Sequence, residues 1–233
     1  MEKELTIVIP AKNEEDYISR LLEELSLQRI GKTQILLADA NSTDSTVEEA
    51  KRTAFELGLN LKVIKGGMPA YGRNAGAKYA RTPYVLFVDA DVTFSSRFDL
   101  SYCLEKAKNF YLLSTTPKMR TTEDKLAVFL MWLNKLFTRF LSFSQPFAIG
   151  AFTIVDREIF LSLGGYDEEV KHTEDWLFSK KIEPENFILI SGLITQDNRR
   201  FKRFGYFRMI KLMWKNWKNR NNREYFLQDA GYW

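Results

Sequence analysis

The chain has 233 residues, 45% of them apolar, with a formal net charge of +4, one cysteine and one histidine. That apolar content supports a sizeable core and argues against disorder, while the lone Cys103 excludes an intramolecular disulfide framework and a cysteine-rich zinc site. The charge is divided: residues 199–223 hold ten Lys or Arg and no acid, leaving 24 basic against 30 acidic residues elsewhere, a net of −6.

The N-terminus sets charges before the five-residue run Leu5–Ile9, too short for the core of an export signal, so a cytoplasmic location is expected. Apolar, β-rich runs at Leu5–Ile9, Gln34–Ala38, Leu61–Ile64 and Tyr84–Val88 read as strands. Helices are expected between them. The first carries Ile18, Leu21, Leu22 and Leu25 at helical spacing, the second starts at the cap-rich Asn41-Ser42-Thr43-Asp44, and the third runs from Pro69 or Ala70 to Tyr79. Strands alternating with helices predict a mostly parallel sheet covered on both faces, with ligands at the carboxyl ends of the strands.

Further on, the pattern predicts a helix at Leu100–Lys108, a strand at Tyr111–Thr115 and a long helix from about Thr122 to Phe143. A strand at Phe152–Val155, a helix at Arg157–Leu163 and the turn Gly164-Gly165 then lead to Thr173-Glu174-Asp175-Trp176. No stretch of about 18 apolar residues runs without a charge, so no spanning helix is expected. The economical description is one α/β domain over residues 1–198 with a basic, aromatic helical appendage over 199–233.

Polar groups fall at the predicted strand ends. Asp89-Ala90-Asp91 follows Tyr84–Val88, where two carboxylates opening on a cleft suit Mg²⁺ or Mn²⁺ held against an anionic ligand. Asp39 follows the second strand, either to accept from a base or ribose or to close an Asx turn. Arg73, in the first turns of a glycine-bearing helix, could reach a phosphate or simply face solvent. Its glycines match neither the P-loop nor the dinucleotide fingerprint. Glu174-Asp175 is either first-turn helix chemistry or a general base for an attacking hydroxyl, with His172 in its surroundings. A single histidine also leaves a serine-hydrolase triad unsupported.

Taken in order, Val8-Ile9-Pro10-Ala11-Lys12-Asn13-Glu14-Glu15, Asp39 with Ser42-Thr43-Asp44-Ser45-Thr46, Gly72-Arg73-Asn74-Ala75-Gly76, Phe87-Val88-Asp89-Ala90-Asp91, Gly164-Gly165-Tyr166-Asp167-Glu168 and Glu174-Asp175 resemble the motifs of family 2 glycosyltransferases. The resemblance spans roughly residues 5–180. It implies the GT-A fold, a Rossmann-like, mostly parallel sheet flanked by helices, and inverting, metal-dependent transfer from a nucleotide-diphosphate-sugar. By the same resemblance Pro10, Ala11 and Glu14 line the nucleoside pocket, Asp39 bonds the base and Arg73 lies near base or phosphates. Asp89 sits near ribose and sugar, and Asp91, with Asp89 beside it, holds Mg²⁺ or Mn²⁺. Asp175 is the implied base, with Glu174 beside it and Trp176 and His172 on the acceptor side.

Processive synthases of this family carry Gln-x-x-Arg-Trp after the acidic dyad. Here only Gln196-Asp197-Asn198-Arg199-Arg200-Phe201 stands in that region, so single-sugar transfer is expected, with Arg199 or Arg200 reaching the diphosphate as the site closes.

From Tyr206 the tail reads as a helix with Tyr206, Phe207, Met209, Ile210, Met213, Trp214 and Trp217 on one face and Arg208, Lys211, Lys215 and Lys218 opposite, broken by Leu212 and Arg220. Such a helix can lie on anionic lipid or pack on the domain. The apolar face of Leu126–Leu141 is expected in the core. Together they suggest an enzyme peripheral on the inner face of the cell membrane, acting on a lipid-linked or glycan hydroxyl, with no nucleic-acid partner. The alternatives are a polyprenyl-phosphate sugar synthase of the same fold and a non-catalytic nucleotide- or nucleic-acid-binding module.

Overall fold

A computed structural model describes residues 1–119, 123–141, 145–196 and 199–228. The first half alternates strands β1 (Leu5–Ala11), β2 (Gln34–Asp39), β3 (Asn60–Lys65) and β4 (Tyr84–Val88) with helices α1 (Glu15–Ser26), α2 (Thr46–Glu56) and α3 (Pro69–Tyr79). These four strands pair in parallel in the order β3-β2-β1-β4. All four strand runs and all three helices expected there are present. α2 begins at Thr46 because residues 41–45 form the loop before it.

The second half adds β5 (Thr93–Phe94), α4 (Leu100–Ala107), β6 (Leu112–Met119), α5 (Lys125–Leu141), β7 (Phe152–Asp156), α6 (Arg157–Ser162), α7 (Glu174–Ser179), β8 (Phe187–Gln196), α8 (Arg199–Phe204), α9 (Tyr206–Lys218) and α10 (Arg223–Phe226). β7 runs antiparallel between β4 and β6, β8 lies parallel to β6, and short β5 closes the edge, completing the order β3-β2-β1-β4-β7-β6-β8-β5. The sheet is therefore mixed but mostly parallel. β5 and β8 are additions to the sequence expectation. The Ile-rich run of β8 carried a strand signal, whereas two-residue β5 exists only through its pairing with Thr195 and Ile194.

The core fills both faces of the sheet. α1 turns Ile18, Leu21, Leu22 and Leu25 inward, all fully buried against β1 and β2 residues such as Ile7, Ile9, Ile35 and Leu37. At roughly 1.5–3 kcal/mol for each such side chain, this stripe holds α1 to the sheet. On the other face Val8, Leu36, Val85 and Phe87 pack under α3 and the Phe160–Tyr166 region. The glycines of α3 serve this contact: a Cβ on Gly76 would overlap the side chain of Val8, and one on Gly72 would press Ala38 and Pro10. They permit close approach of helix to sheet, not a phosphate cradle.

α5 overturns the expectation of core burial. It turns Ala127 and Thr138 inward but leaves Leu126, Phe129, Trp132, Leu133 and Phe140 in solvent, Phe140 at 75% exposure. β6 is its main support in the body, and on that side small residues let the helix sit close, so the bulky ones have no partner surface.

Candidate active site

Two loop systems meet at the carboxyl ends of β1 and β2. Ala11 pairs in register with Asp39, and Ala40 N–H donates to Ala11 O at 2.9 Å. The β1–α1 loop is knitted to the β2–α2 loop. Asn13 Oδ1 accepts from Thr43 N–H at 2.8 Å, and Glu14 N–H donates to Thr46 Oγ1 at 2.7 Å. Asp44 accepts from the backbone of Glu15 and of Thr46, so one carboxylate serves the starts of both α1 and α2. Burial alone would raise its pKa, but these bonds and the Thr46 hydroxyl hold it low.

Asp39 accepts from the residue three on, in place of the two-residue Asx turn that the sequence allowed: its Oδ1 takes the Ser42 hydroxyl hydrogen at 2.6 Å and both its oxygens lie 3.3 Å from Ser42 N, with Asn41 in the left-handed region at φ 58°. Pro10 lies beside Gly72 at the start of α3, so Pro10, Ala11, Glu14 and Asp39 gather around one rim.

Arg73 is the hinge between this rim and the acidic dyad. It is 2% exposed, and its guanidinium spans two carboxylates: Nη2 to Asp89 Oδ1 at 2.6 Å and Nη1 to Glu174 Oε1 at 2.6 Å. A third bond runs from Nη2 to Gly150 O at 3.3 Å. The charge is thus committed between carboxylates rather than facing solvent. Desolvation opposes it, but the charges of Asp89 and Glu174 prevail and push its pKa up.

Asp175 lies beside this pair. Its Oδ2 accepts from Gly150 N–H at 2.5 Å and its Oδ1 from Trp176 N–H at 2.8 Å. Burial and then the Glu174 charge push the Asp175 pKa up to about 6, against the opposing pull of Arg73 and the two backbone donors. The residue before the dyad, Thr173, sits at φ 61°, an unfavourable conformation for a β-branched residue, held where the chain turns into α7.

One cleft of about 260 Å³ contains Arg73, Asp89, Glu174, Asp175, Trp176 and His172 together. Trp176 meets Phe147 in a tilted ring contact, 4.8 Å between centroids. His172 is buried beside Tyr225 and Phe226 of the C-terminal segment. That segment is tied to the body by Lys171 N–H to Phe226 O at 2.8 Å, by Lys180 Nζ to Arg220 O at 2.7 Å and by Arg223 with Asp167 and Glu169. The side chains of Arg199 and Arg200, and residues Asp197 and Asn198, lie outside the described residues.

Asp91 is buried, with its carbonyl 3.5 Å from Arg20 Nη2. No group of three or more His, Cys, Asp or Glu that could hold a metal occurs among the described residues. Asp89 lines the cleft and Asp91 is not among its lining residues; these two carboxylates are the groups that could hold a metal ion here. Such a set of hard oxygen donors fits Mg²⁺ or Mn²⁺.

The sequence reading missed Gly150, Asn74 and Phe147. A Cβ on Gly150 would stand 3.1 Å from Asp175 Oδ2 and 3.2 Å from Arg73 Nη2, so any larger residue would press on both charged groups. Asn74 links two of the motifs, donating to Tyr166 O and Glu168 Oε1 at 2.8 Å each. Ala148, Gly150 and Ala151, small residues just before a buried strand, were the available signal for Gly150.

A model of the family described as "Glycosyl transferase family 2" matches residues 6–164, and the chain belongs to that family. The chain is 30% identical over 188 residues to a 4,4'-diaponeurosporenoate glycosyltransferase of Staphylococcus aureus, a match covering 73% of this chain and 48% of that protein. Against the poly(ribitol-phosphate) beta-N-acetylglucosaminyltransferase TarS of Staphylococcus aureus the identity is 33% over 90 residues, 37% of this chain and 16% of the relative. The chain thus spans half or less of the length of these relatives. Among solved structures, the mannosyltransferase PcManGT from Pyrobaculum calidifontis, in complex with GDP-Man and Mn²⁺, superposes with a TM-score of 0.65 at 21% identity, covering 86% of this chain and 58% of that one. The fold is GT-A.

Proposed function

We propose that this chain transfers one sugar from a nucleotide-diphosphate-sugar to an acceptor hydroxyl, with inversion at the anomeric carbon. The observation that carries the reading is the convergence of Asp89 and the Glu174-Asp175 dyad around buried Arg73 in one cleft. In the step, the acceptor oxygen forms a bond to the anomeric carbon as the bond from that carbon to the diphosphate oxygen breaks. The hydroxyl proton passes to Asp175, and the nucleoside diphosphate leaves with the bonding pair. A single base and no enzyme nucleophile give inversion.

Asp175 suits the work of a base because its surroundings favour taking up a proton near neutral pH, while its bonds to Gly150 and Trp176 orient the carboxylate. Asp89 and Asp91 would hold Mg²⁺ or Mn²⁺, which supplies positive charge against the departing diphosphate. Pro10, Ala11, Glu14 and Asp39 form the rim proposed for the nucleoside, with Asp39 able to accept from the base while its bonds from Ser42 hold it still. Arg73 would keep the two carboxylate walls at a set distance.

The relatives' names give different acceptors, 4,4'-diaponeurosporenoate and poly(ribitol-phosphate), so the family alone does not choose one. A polyprenyl-phosphate acceptor is already ionised and needs no base, and the environment of Asp175 therefore favours a hydroxyl. The absence of Gln-x-x-Arg-Trp favours a single transfer.

No described helix is long and apolar enough to cross a membrane. The outward apolar side chains of α5 and α9, flanked by Arg208, Lys211, Lys215 and Lys218, support peripheral binding to an anionic surface at the cytoplasmic side.

Thermal-shift titration with UDP, GDP and their sugars, with and without Mn²⁺, tests the reading. Metal-dependent stabilisation by one nucleotide family is expected, and no shift with any would defeat it. An acid-labile sugar-phosphate lipid as product would transfer the assignment to the polyprenyl-phosphate reading.

A further inference from the structure

Helix α9 does not present the single apolar face that its sequence suggests. Phe207, Ile210 and Trp214 are exposed, whereas Met209, Leu212 and Asn216, a different side of the helix, are half-buried and line the cleft that holds the dyad. Leu212, which broke the sequence-level face, is one of the inward residues. Across the cleft stand Leu130 and Met131 of α5, and Phe147 and Trp176 wall its inner part. The charged groups Arg73, Asp89, Glu174 and Asp175 occupy one end, while the outer walls are built mainly of Leu, Met, Phe and Trp. Phe137 and Trp217, in ring contact at 6.4 Å, belong both to the cleft lining and to the exposed apolar surface, so the cleft opens onto that surface.

We propose that this cleft between α5 and α9 holds the hydrocarbon chain of the acceptor, so that the acceptor is an amphiphile whose hydroxyl lies at Asp175 and whose apolar tail runs outward between the two helices. The proposal rests on the sugar-transfer reading for the role of the hydroxyl. The tail site itself follows from the walls. A carbohydrate acceptor needs hydrogen-bond partners along its length, and beyond the charged end with its neighbours His172 and Thr173 these walls offer Gln196 and Asn216. A hydrocarbon chain needs none and is favoured by the area it removes from water. The opening of the cleft onto an apolar surface flanked by cations is the entrance that a molecule drawn from a lipid layer would use.

The probes are ω-bromo primary alcohols of six, eight, ten and twelve carbons, kept below their aggregation limits, with quenching of tryptophan emission as the readout in the full chain. Trp176 and Trp217 line the cleft, so an occupying bromoalkyl chain quenches them. Saturable quenching is expected, with half-saturation falling roughly three- to fourfold for each added methylene until the cleft is filled. Leu130→Gln and Leu212→Gln, on different helices, should each raise half-saturation about tenfold, and Phe207→Asp on the outward face should change it less than about twofold. Quenching linear in concentration and indifferent to chain length would overturn the site. So would loss of binding in Phe207→Asp with both leucine variants unchanged, since the alcohol would then sit on the outer surface. A parallel thermal shift with UDP or GDP and Mn²⁺ separates the two readings. Nucleotide binding without saturable quenching removes the tail site alone, whereas saturable quenching without nucleotide binding keeps the tail site and removes the transferase.

Discussion

Helices α1 and α5 carry comparable apolar faces and meet opposite fates. α1 buries Ile18, Leu21, Leu22 and Leu25 completely, whereas α5 leaves Leu126, Phe129, Trp132 and Phe140 in water. Amphipathicity reports that a helix has an apolar side; it does not report whether the body supplies a matching surface. In the half proposed for the donor, the helices flank parallel strands of which β1, β2 and β4 are buried on both faces. In the half proposed for the acceptor, α5 rests on the interior strand β6 and meets α9 through Phe137 and Trp217, with much of the apolar surface of both helices left exposed. The rim proposed for the nucleotide is a closed, hydrogen-bonded scaffold, and the acceptor side is an open apolar surface.

Arg73 joins the two halves, so its replacement should break the contrast most severely. Arg73→Gln leaves Asp89 and Glu174 close together with no cation between them, and a loss of roughly 3–5 kcal/mol is expected in urea unfolding. A smaller loss than about 1 kcal/mol would mean that the pair contributes little to the fold. Next in size, Asp175→Asn should slow transfer on the order of 10²–10⁴-fold while nucleotide binding persists. Unchanged product formation would remove the base from the acceptor half.

Asp91→Asn probes the donor half in isolation. Loss of roughly 1.5–3 kcal/mol, about ten- to a hundredfold, is expected in Mn²⁺-dependent nucleotide affinity by calorimetry, with metal-free affinity unaltered. Equal affinities in both proteins would discard the metal assignment.

Titration of Asp175 has two signs. The ionised Asp175 is the competent base, so the transfer rate should rise through about pH 6 and level above it. Stability should move the other way in that window. Between the ordinary carboxylate range and about pH 6 the folded protein binds this proton more tightly than the unfolded chain, so the contribution of Asp175 falls as pH rises. A pH-independent rate from 5 to 7 would mean that Asp175 is not the proton acceptor. The smallest effect is expected at the outward face. Phe207→Asp should weaken sedimentation with anionic vesicles by about 1 kcal/mol, roughly fivefold, and equal sedimentation would dissociate this face from lipid. A point change is the cleaner test than removing the tail, because Phe226 is fully buried in the body.

Local chemistry decided much of this molecule. Period-two and period-3.6 patterning set β1–β4 and α1–α3, and Asp39 and Asp89 fall at or just after strand ends, where a carboxylate finds hydrogen-bond and charge partners. The order of six short motifs was enough to recognise the family, although Gly72–Gly76 lies inside α3 and Gly164–Glu168 in the loop after α6 rather than at a strand terminus. Other features were settled by tertiary packing. Nothing in the local sequence around Arg73 says that its guanidinium lies between Asp89 and Glu174, since both partners come from distant elements and only burial makes their charges compulsory company. Gly150 acquires its role from the two charged groups that close on it. Leu212 breaks a face drawn on α9 in isolation and fits once α5 stands opposite, because a helix has as many faces as it has neighbours.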